Sequence, residues 1–307
     1  MTRSGVDLAT AVGAVRLPTP VIAASGTVGY GTELEGLVDL GAIGAISVKG
    51  LSLAPYAGKP PPRLVETPGG VLNAIGLQNI GVEAFLRERL PRLRAAGARV
   101  IANFWGDTPE EFAACAARLD GEPGIVALEL NAASPNRPEW GRILASDPAA
   151  LAAIVRAVRA RVQMPLWVKL SPNVTDIAAV GRAAEAEGAD ALCAINTLRG
   201  MAVDLPRRRP RLASGVGGLS GPAIKPVALA MVHALVRAVR VPVVGIGGIR
   251  TGEDALEFLV CGARAVQVGT ACLYDPLAPL RITRGIARWC RRRGIARIAE
   301  VIGTLGE

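Results

Sequence analysis

The chain has 307 residues, half of them hydrophobic, a fifth charged and only 4% aromatic, with a formal charge of +9. Its apolar runs are short and broken by Gly, Pro or charge, so none reads as a membrane span, and the opening "MTRSGVDLATAVG" lacks the apolar stretch of a signal peptide. The five cysteines (Cys115, Cys193, Cys261, Cys272, Cys290) are scattered without a CxxC, which argues against a disulfide framework and against a metal or iron–sulfur site within this chain. The single histidine, His233, lies in the helical pattern "ALAMVHALVRAVR", so neither a Ser-His-Asp triad nor a multi-histidine site is expected. The arginine clusters "PRRRPR" (206–211) and "RWCRRRG" (288–294) lack interleaved aromatics and read as solvated faces rather than a nucleic-acid surface. A basic surface also suits an anionic substrate or an acidic partner. These features predict a cytoplasmic protein that binds neither membrane nor nucleic acid.

Along the chain, "VDLATAVGAVRLPTP" predicts a small hairpin, placed on a barrel floor. Eight nearly continuous apolar runs follow: 20–26, 44–50, 98–106, 124–132, 165–172, 191–197, 242–249 and 265–271. Such runs suit parallel strands buried on both faces. Helical patterns separate them. "GVEAFLRERLPRLRAAGA" carries a proline that kinks or splits it. "DTPEEFAACAARLDG" offers Thr108 as N-cap, Pro109 at the first helical position and Glu111 to close a capping box. "DPAALAAIVRAVRARV" follows the fourth run, while "VTDIAAVGRAAEAEGA" and "TGEDALEFLVCGA" each begin at a threonine cap. The alternation predicts an α/β fold, a (β/α)₈ TIM barrel of one domain over residues 1–307, with a doubly wound open sheet as the alternative. Two connections, 51–97 and 198–220, are long for plain βα units and mark functional loops on the top face.

Barrel strands ordinarily end in apolar or turn residues, but here most end in polar ones. Ser25 follows the first run, Lys49 the second, Asn103 lies in the third, Asn131 ends the fourth, Lys169 lies in the fifth, and Asn196 and Thr197 end the sixth. Each alone reads as a local cap; together they mark the rim where barrel active sites sit. Amides offer coplanar donors and acceptors for a flat heterocycle, and the lysines offer charge to an anion. No carboxylate pair converges, so glycosidase chemistry is not indicated. The last two strands end in Gly247, Gly248, Gly269 and Thr270, glycines that let backbone N–H groups approach a phosphate. Tight turns are the alternative reading of those glycines. Phosphate on one side and planar recognition at the centre point to a flavin mononucleotide with a small substrate on its ring.

At these residues the sequence resembles the dihydroorotate dehydrogenase family, most closely the catalytic subunit of its NAD-linked class 1B. The specific stretches are "PPPRLVETPGGVLNAIGLQN" (60–79), "VKLSPNVTDI" (168–177), "INTLRGMAVD" (195–204) and "GGLSGPAIKP" (217–226). The resemblance implies FMN contacts at Ser25, Lys49, Gly50, Asn103, Asn131, Lys169, Ile195, Gly221, Gly247, Gly248, Gly269 and Thr270. It implies that dihydroorotate is held by Lys49, by Asn73, Ala74, Ile75, Gly76 and Leu77, and by Asn131, Asn196 and Thr197. The implied reaction removes a proton from C5 and a hydride from C6 to give orotate, in pyrimidine biosynthesis. It further implies a homodimer at the core of a heterotetramer with an FAD and [2Fe–2S] electron-transfer subunit that reduces NAD⁺.

One residue departs from that pattern. In "LNAASPNR" (130–137), Ser134 stands where class 1 members carry a cysteine base, two residues before Asn136; the quinone-using class 2 members carry serine, with a membrane extension that is not expected here. Ala133 also replaces a small polar residue. A thiol with a pKa of about 8.5 is partly ionised near neutrality, whereas a hydroxyl needs a relay. Ser134 is thus expected to be a working base with a relay; a slow enzyme, one acting on another dihydropyrimidine, and a silent FMN-binding relative are the alternatives. A tRNA dihydrouridine synthase would use the positive charge, but that family relies on a loop cysteine and a C-terminal RNA-binding extension, and this sequence ends soon after the eighth helix.

Overall fold

The computed structural model describes residues 5–135 and 144–306. Asn136 lies outside the described residues.

All eight apolar runs form strands: β1 (Val21–Ala23), β2 (Ala45–Ser47), β3 (Val100–Phe104), β4 (Ile125–Leu130), β5 (Leu166–Lys169), β6 (Ala191–Ala194), β7 (Val243–Ile246) and β8 (Ala265–Val268). Each pairs in parallel with the next, and β8 closes on β1 through Val266 opposite Val21, making a closed barrel. The open-sheet alternative is thereby set aside. Every residue of these strands is buried except Val126, which is half-buried. Burial on both faces is the reason the runs are nearly continuous in apolar side chains.

Outward side chains meet the helices, and inward ones fill the barrel. The predicted hairpin is present, Thr10–Val12 against Val15–Leu17, and its Val12, Val15 and Leu17 pack beneath the barrel against Ile101, Ala127, Trp167 and Ala265. Trp167 is completely buried and is the largest side chain of this floor.

Helix starts follow local chemistry. Thr108 caps Pro109–Leu119 by accepting from the Glu111 backbone N–H at 3.3 Å, but the Glu111 carboxylate accepts from the Asp107 N–H at 2.9 Å, one residue before the cap. The expected capping box is therefore displaced on its return arm. Helix Ile177–Ala186 is capped by Asp176, not by Thr175, because the carboxylate accepts from the Ala179 N–H. Thr251 caps Gly252–Val260 with a complete box through Asp254. The first long helical stretch contains a wide turn at Phe85–Arg89, where the Leu90 N–H bonds the Phe85 carbonyl. Pro91, which has no N–H to continue the ordinary ladder, follows at once.

The two long connections build one structure. Leu64–Thr67 and Gly70–Asn73 from the first pair with Gly217–Ser220 and Leu198–Gly200 from the second in a four-stranded antiparallel sheet. This sheet contributes Leu64, Thr67, Gly70, Val71, Asn73 and Ser220 to the wall of the cavity described next.

Candidate active site

A cavity of about 700 Å³ opens at the C-terminal ends of the barrel strands, within the usual size range of small-molecule sites. Its wall brings together Ser25, Lys49, Gly50, Asn73, Ile75, Gly76, Leu77, Asn131, Ser134, Lys169, Ile195, Asn196, Thr197, Gly221, Gly247, Gly248, Gly269 and Thr270. Two of the sequence-predicted residues are not on that wall. Asn103 lies one layer deeper, fully buried within β3, and Ala74 points into a small core with Val65, Leu72 and Leu212. Leu77 holds a left-handed backbone at φ 63°, beside Gly76 at φ 73°. For a leucine that conformation costs about 1–2 kcal/mol, which the packed loop around it must supply.

The amides form a ladder. Asn103 Nδ2 donates to Glu129 Oε1 at 2.5 Å, Asn131 Nδ2 donates to Asn103 Oδ1 at 3.3 Å, and Asn196 Nδ2 donates to Asn131 Oδ1 at 3.4 Å. Asn196 Oδ1 then accepts from the Thr197 backbone N–H at 2.8 Å. At the foot, Glu129 also accepts from Ser47 Oγ at 3.0 Å and from Gln267 Nε2, and Lys169 Nζ lies 3.7 Å away. Glu129 is fully buried. Burial pushes its pKa up, but the Lys169 charge and the hydrogen bonds from Gln267, Asn103 and Ser47 outweigh that and hold the carboxyl below its ordinary value. The carboxylate is ionised and can only accept hydrogen bonds.

The two lysines differ. Lys169 has Glu129 as its counter-charge. Lys49 has no carboxylate within ion-pair distance among the described residues, and burial, then Arg63, then Lys169 push its pKa down to about 8. It is the cation available to an incoming anion.

On the opposite side the wall is backbone. Gly247 and Gly248 adopt φ 133° and φ 73°, and a Cβ on Gly248 would meet Lys225 Cβ at 2.6 Å. Gly221 at φ 104° abuts Gly70 in the same way, at 2.7 Å. Thr270 Oγ1 donates to Ser220 Oγ at 2.8 Å, tying this side to the added sheet, and Arg250 and Arg281 add positive charge. A side chain at these turns would strike Lys225 or Gly70, so only glycine lets the backbone run along the cavity wall, where its N–H groups suit a phosphate, and the amide and cationic side suits a planar pyrimidine edge. The residues present therefore fit FMN.

Ser134 is buried on the wall next to Pro135, at the end of the segment that leaves β4. Sequence reading missed Glu129, Gln267 and Ser47 beneath the ladder, Arg63 whose charge acts on Lys49, and Arg250 and Arg281 on the cavity wall. A lone glutamate in the apolar run "IVALEL" was the available signal for the first, and a basic residue directly after "GIGGI" for Arg250. Among the described residues no group of His, Cys, Asp and Glu could hold a metal ion, and no helix is long and apolar enough to cross a membrane.

Fold and cavity place the chain among the α/β-barrel enzymes. The family model for dihydroorotate dehydrogenase matches residues 7–289. The "Dihydroorotate dehydrogenase B (NAD(+)), catalytic subunit" of Trichlorobacter lovleyi is 56% identical over 96% of this chain and 97% of its own length. The protein of that name from Pelobacter propionicus is 52% identical over 97% of this chain and 98% of its own. A Solibacter usitatus relative, 49% identical over 97% of this chain and 98% of its own length, carries the provisional name dihydroorotate dehydrogenase A (fumarate). The chain belongs to the dihydroorotate dehydrogenase family, a family of flavin-dependent oxidoreductases.

Proposed function

We propose that this chain oxidises dihydroorotate to orotate for pyrimidine biosynthesis in the cytoplasm, with FMN as its resident cofactor and NAD⁺ as the final acceptor. The observation that carries the reading is the amide ladder Asn103–Asn131–Asn196 rising beside Lys49 into a cavity with a glycine cradle opposite, in a chain of this family. An FAD and [2Fe–2S] subunit is the proposed partner, in a heterotetramer around a homodimer of this chain; the "catalytic subunit" in the names of the relatives supports a partner of some kind. In this reading the iron–sulfur cluster belongs to that partner, which agrees with the scattered cysteines of this chain, four of them buried.

In this reading Gly221, Gly247, Gly248, Gly269, Thr270 and Ser25 hold the phosphate and ribityl side of FMN. Gly50, Asn131, Lys169 and Ile195 hold its ring, and Asn103 supports that edge from below. FMN, when bound, supplies the hydride acceptor. Lys49 pairs with the substrate carboxylate, while Asn73, Asn131, Asn196 and Thr197 satisfy the ring's carbonyls and N–H groups. Ile75, Gly76 and Leu77 close over the substrate, and Ala74 anchors that segment through its buried side chain. Ser134 accepts the C5 proton and passes it on through a neighbouring hydroxyl or water, since a neutral hydroxyl cannot retain it near neutral pH.

The test is anaerobic mixing of the FMN-loaded protein with dihydroorotate while the oxidised flavin absorbance is followed. Wild type is expected to bleach, Ser134→Ala to bleach about 10²–10⁴-fold more slowly, the usual worth of a general base, and Ser134→Cys to retain activity. A wild type that stays oxidised while Ser134→Cys reacts makes this a site silenced by its serine. If none of the three reacts, the substrate is a different dihydropyrimidine or the protein only binds flavin.

A further inference from the structure

The ladder has a direction, and nothing in the asparagines themselves sets it. An asparagine amide carries a donor and an acceptor of nearly equal size, so a stack of three can run either way with the same shape. Reversed, Asn131 and Asn196, the two that line the cavity, would exchange the places of their carbonyl and N–H groups toward the ligand. The groups at its two ends decide, and at the foot that group is a carboxylate. Glu129 is ionised and only accepts, so Asn103 must turn its Nδ2 downward. That leaves Asn103 Oδ1 upward to receive Asn131 Nδ2, which leaves Asn131 Oδ1 to receive Asn196 Nδ2. At the top the Thr197 N–H, a fixed donor, agrees with the same direction.

Other groups hold Glu129 in that role. Ser47, Gln267 and Lys169 all direct donors at it, from β2, β8 and β5. Its carboxylate therefore faces donors from four strands, counting Asn103 on β3, and its side chain cannot rotate without breaking all of them. Glu129 is fully buried and does not line the cavity, so it touches no ligand.

We propose that Glu129 is a positioning residue that sets the donor and acceptor sense of the asparagine ladder, and so fixes which hydrogen bonds the cavity offers its ligand. The proposal rests on the dihydroorotate and flavin reading of the site. A ligand with the opposite donor and acceptor order along this edge is excluded by Glu129 rather than by the asparagines it would meet. Substrate selectivity thus originates two amides below the substrate.

Glu129→Gln keeps the shape but lets position 129 donate as well as accept, so Asn103 and Asn131 are no longer compelled to donate downward. Adding Asn103→Asp restores an acceptor-only group one step higher, which again forces Asn131 to donate downward. The dissociation constant of orotate is measured by its perturbation of the flavin spectrum in wild type, Glu129→Gln and Glu129→Gln/Asn103→Asp. Flavin dissociation is measured by fluorescence in the same proteins. Orotate affinity is expected to fall at least tenfold in the single variant and to recover to within about threefold of wild type in the double variant. A role in packing alone would not produce that recovery. Should the single variant fail to fold, orotate binding by the double variant supports the proposal, and its absence overturns it. Orotate binding unchanged in Glu129→Gln, or a double variant no better than the single one, overturns the proposal while leaving the dihydroorotate reading intact. Failure of wild type to bind orotate removes that reading instead. Flavin affinity then decides: a drop of at least fivefold in Glu129→Gln that the double variant reverses supports the ladder's direction, and no change overturns it.

Discussion

The floor and the mouth of the barrel are built by the same strands, two residues apart. On β5 Trp167 belongs to the floor and Lys169 to the site; on β4 Ala127 belongs to the floor and Glu129 to the foot of the ladder. Ile101 and Asn103 on β3, and Ala265 and Gln267 on β8, divide in the same way. Inward positions recur every second residue, so one step along the period moves from dry packing to a hydrogen-bonded ionic layer. The floor can hold Trp167 because it needs only volume. The layer above can hold Glu129 and Lys169 because each meets the other and a set of matching donors. Stability and chemistry are thus separated by one layer, and they should respond to different changes.

Three substitutions or conditions sharpen that contrast beyond the tests at Ser134 and Glu129. The largest expected effect is on the floor. Trp167→Ala removes the largest side chain there and should cost about 3–5 kcal/mol of unfolding free energy in denaturant titration, with orotate affinity of the folded fraction little changed. A loss of affinity without loss of stability would break the separation of the layers. Next is the glycine side. Gly248→Ala places a Cβ against Lys225 in a left-handed turn, and flavin affinity is expected to fall at least tenfold by fluorescence titration, consistent with about 1–2 kcal/mol of backbone strain plus displacement of the cradle. The smallest effect is graded by pH. Lys49 sits at about 8, so it is charged below that and loses its charge as pH rises through it, well before an ordinary lysine would. Orotate affinity should therefore be flat below pH 8 and fall up to about tenfold per pH unit above it, and Lys49→Arg should abolish the break, since a guanidinium keeps its charge. A flat profile in wild type would mean that Lys49 is not the anion's partner.

How much was legible follows from the same physics. The eight strands could be read because double-sided burial keeps the runs nearly continuous in apolar residues, with at most one polar residue in each strand. The rim could be read because Asn131, Lys169 and Asn196 break those runs at one end. Asn103 was grouped with the rim although it lies within the run 98–106 and not at its end; β3 extends to Phe104, and the amide sits one layer below the wall. The sheet joining residues 64–73 to 198–220 was not legible. Its strands are short and glycine-rich, and the pairing that joins the two connections, Gly70–Asn73 with Gly217–Ser220, spans more than a hundred residues, so no local pattern announces it. Asp176 displaced Thr175 as a cap because two adjacent residues offer the same acceptor and only the geometry of the turn chooses. Glu129 was passed over because a single charge in an apolar strand has meaning only once the facing strands supply its donors.

The central claim is that this cavity oxidises dihydroorotate. Its most direct test is one anaerobic turnover: FMN-loaded protein in excess over dihydroorotate, quenched, with orotate quantified against flavin reduced. One orotate is predicted for each flavin reduced. Flavin that stays oxidised with no orotate formed, or flavin reduced without orotate, would contradict it.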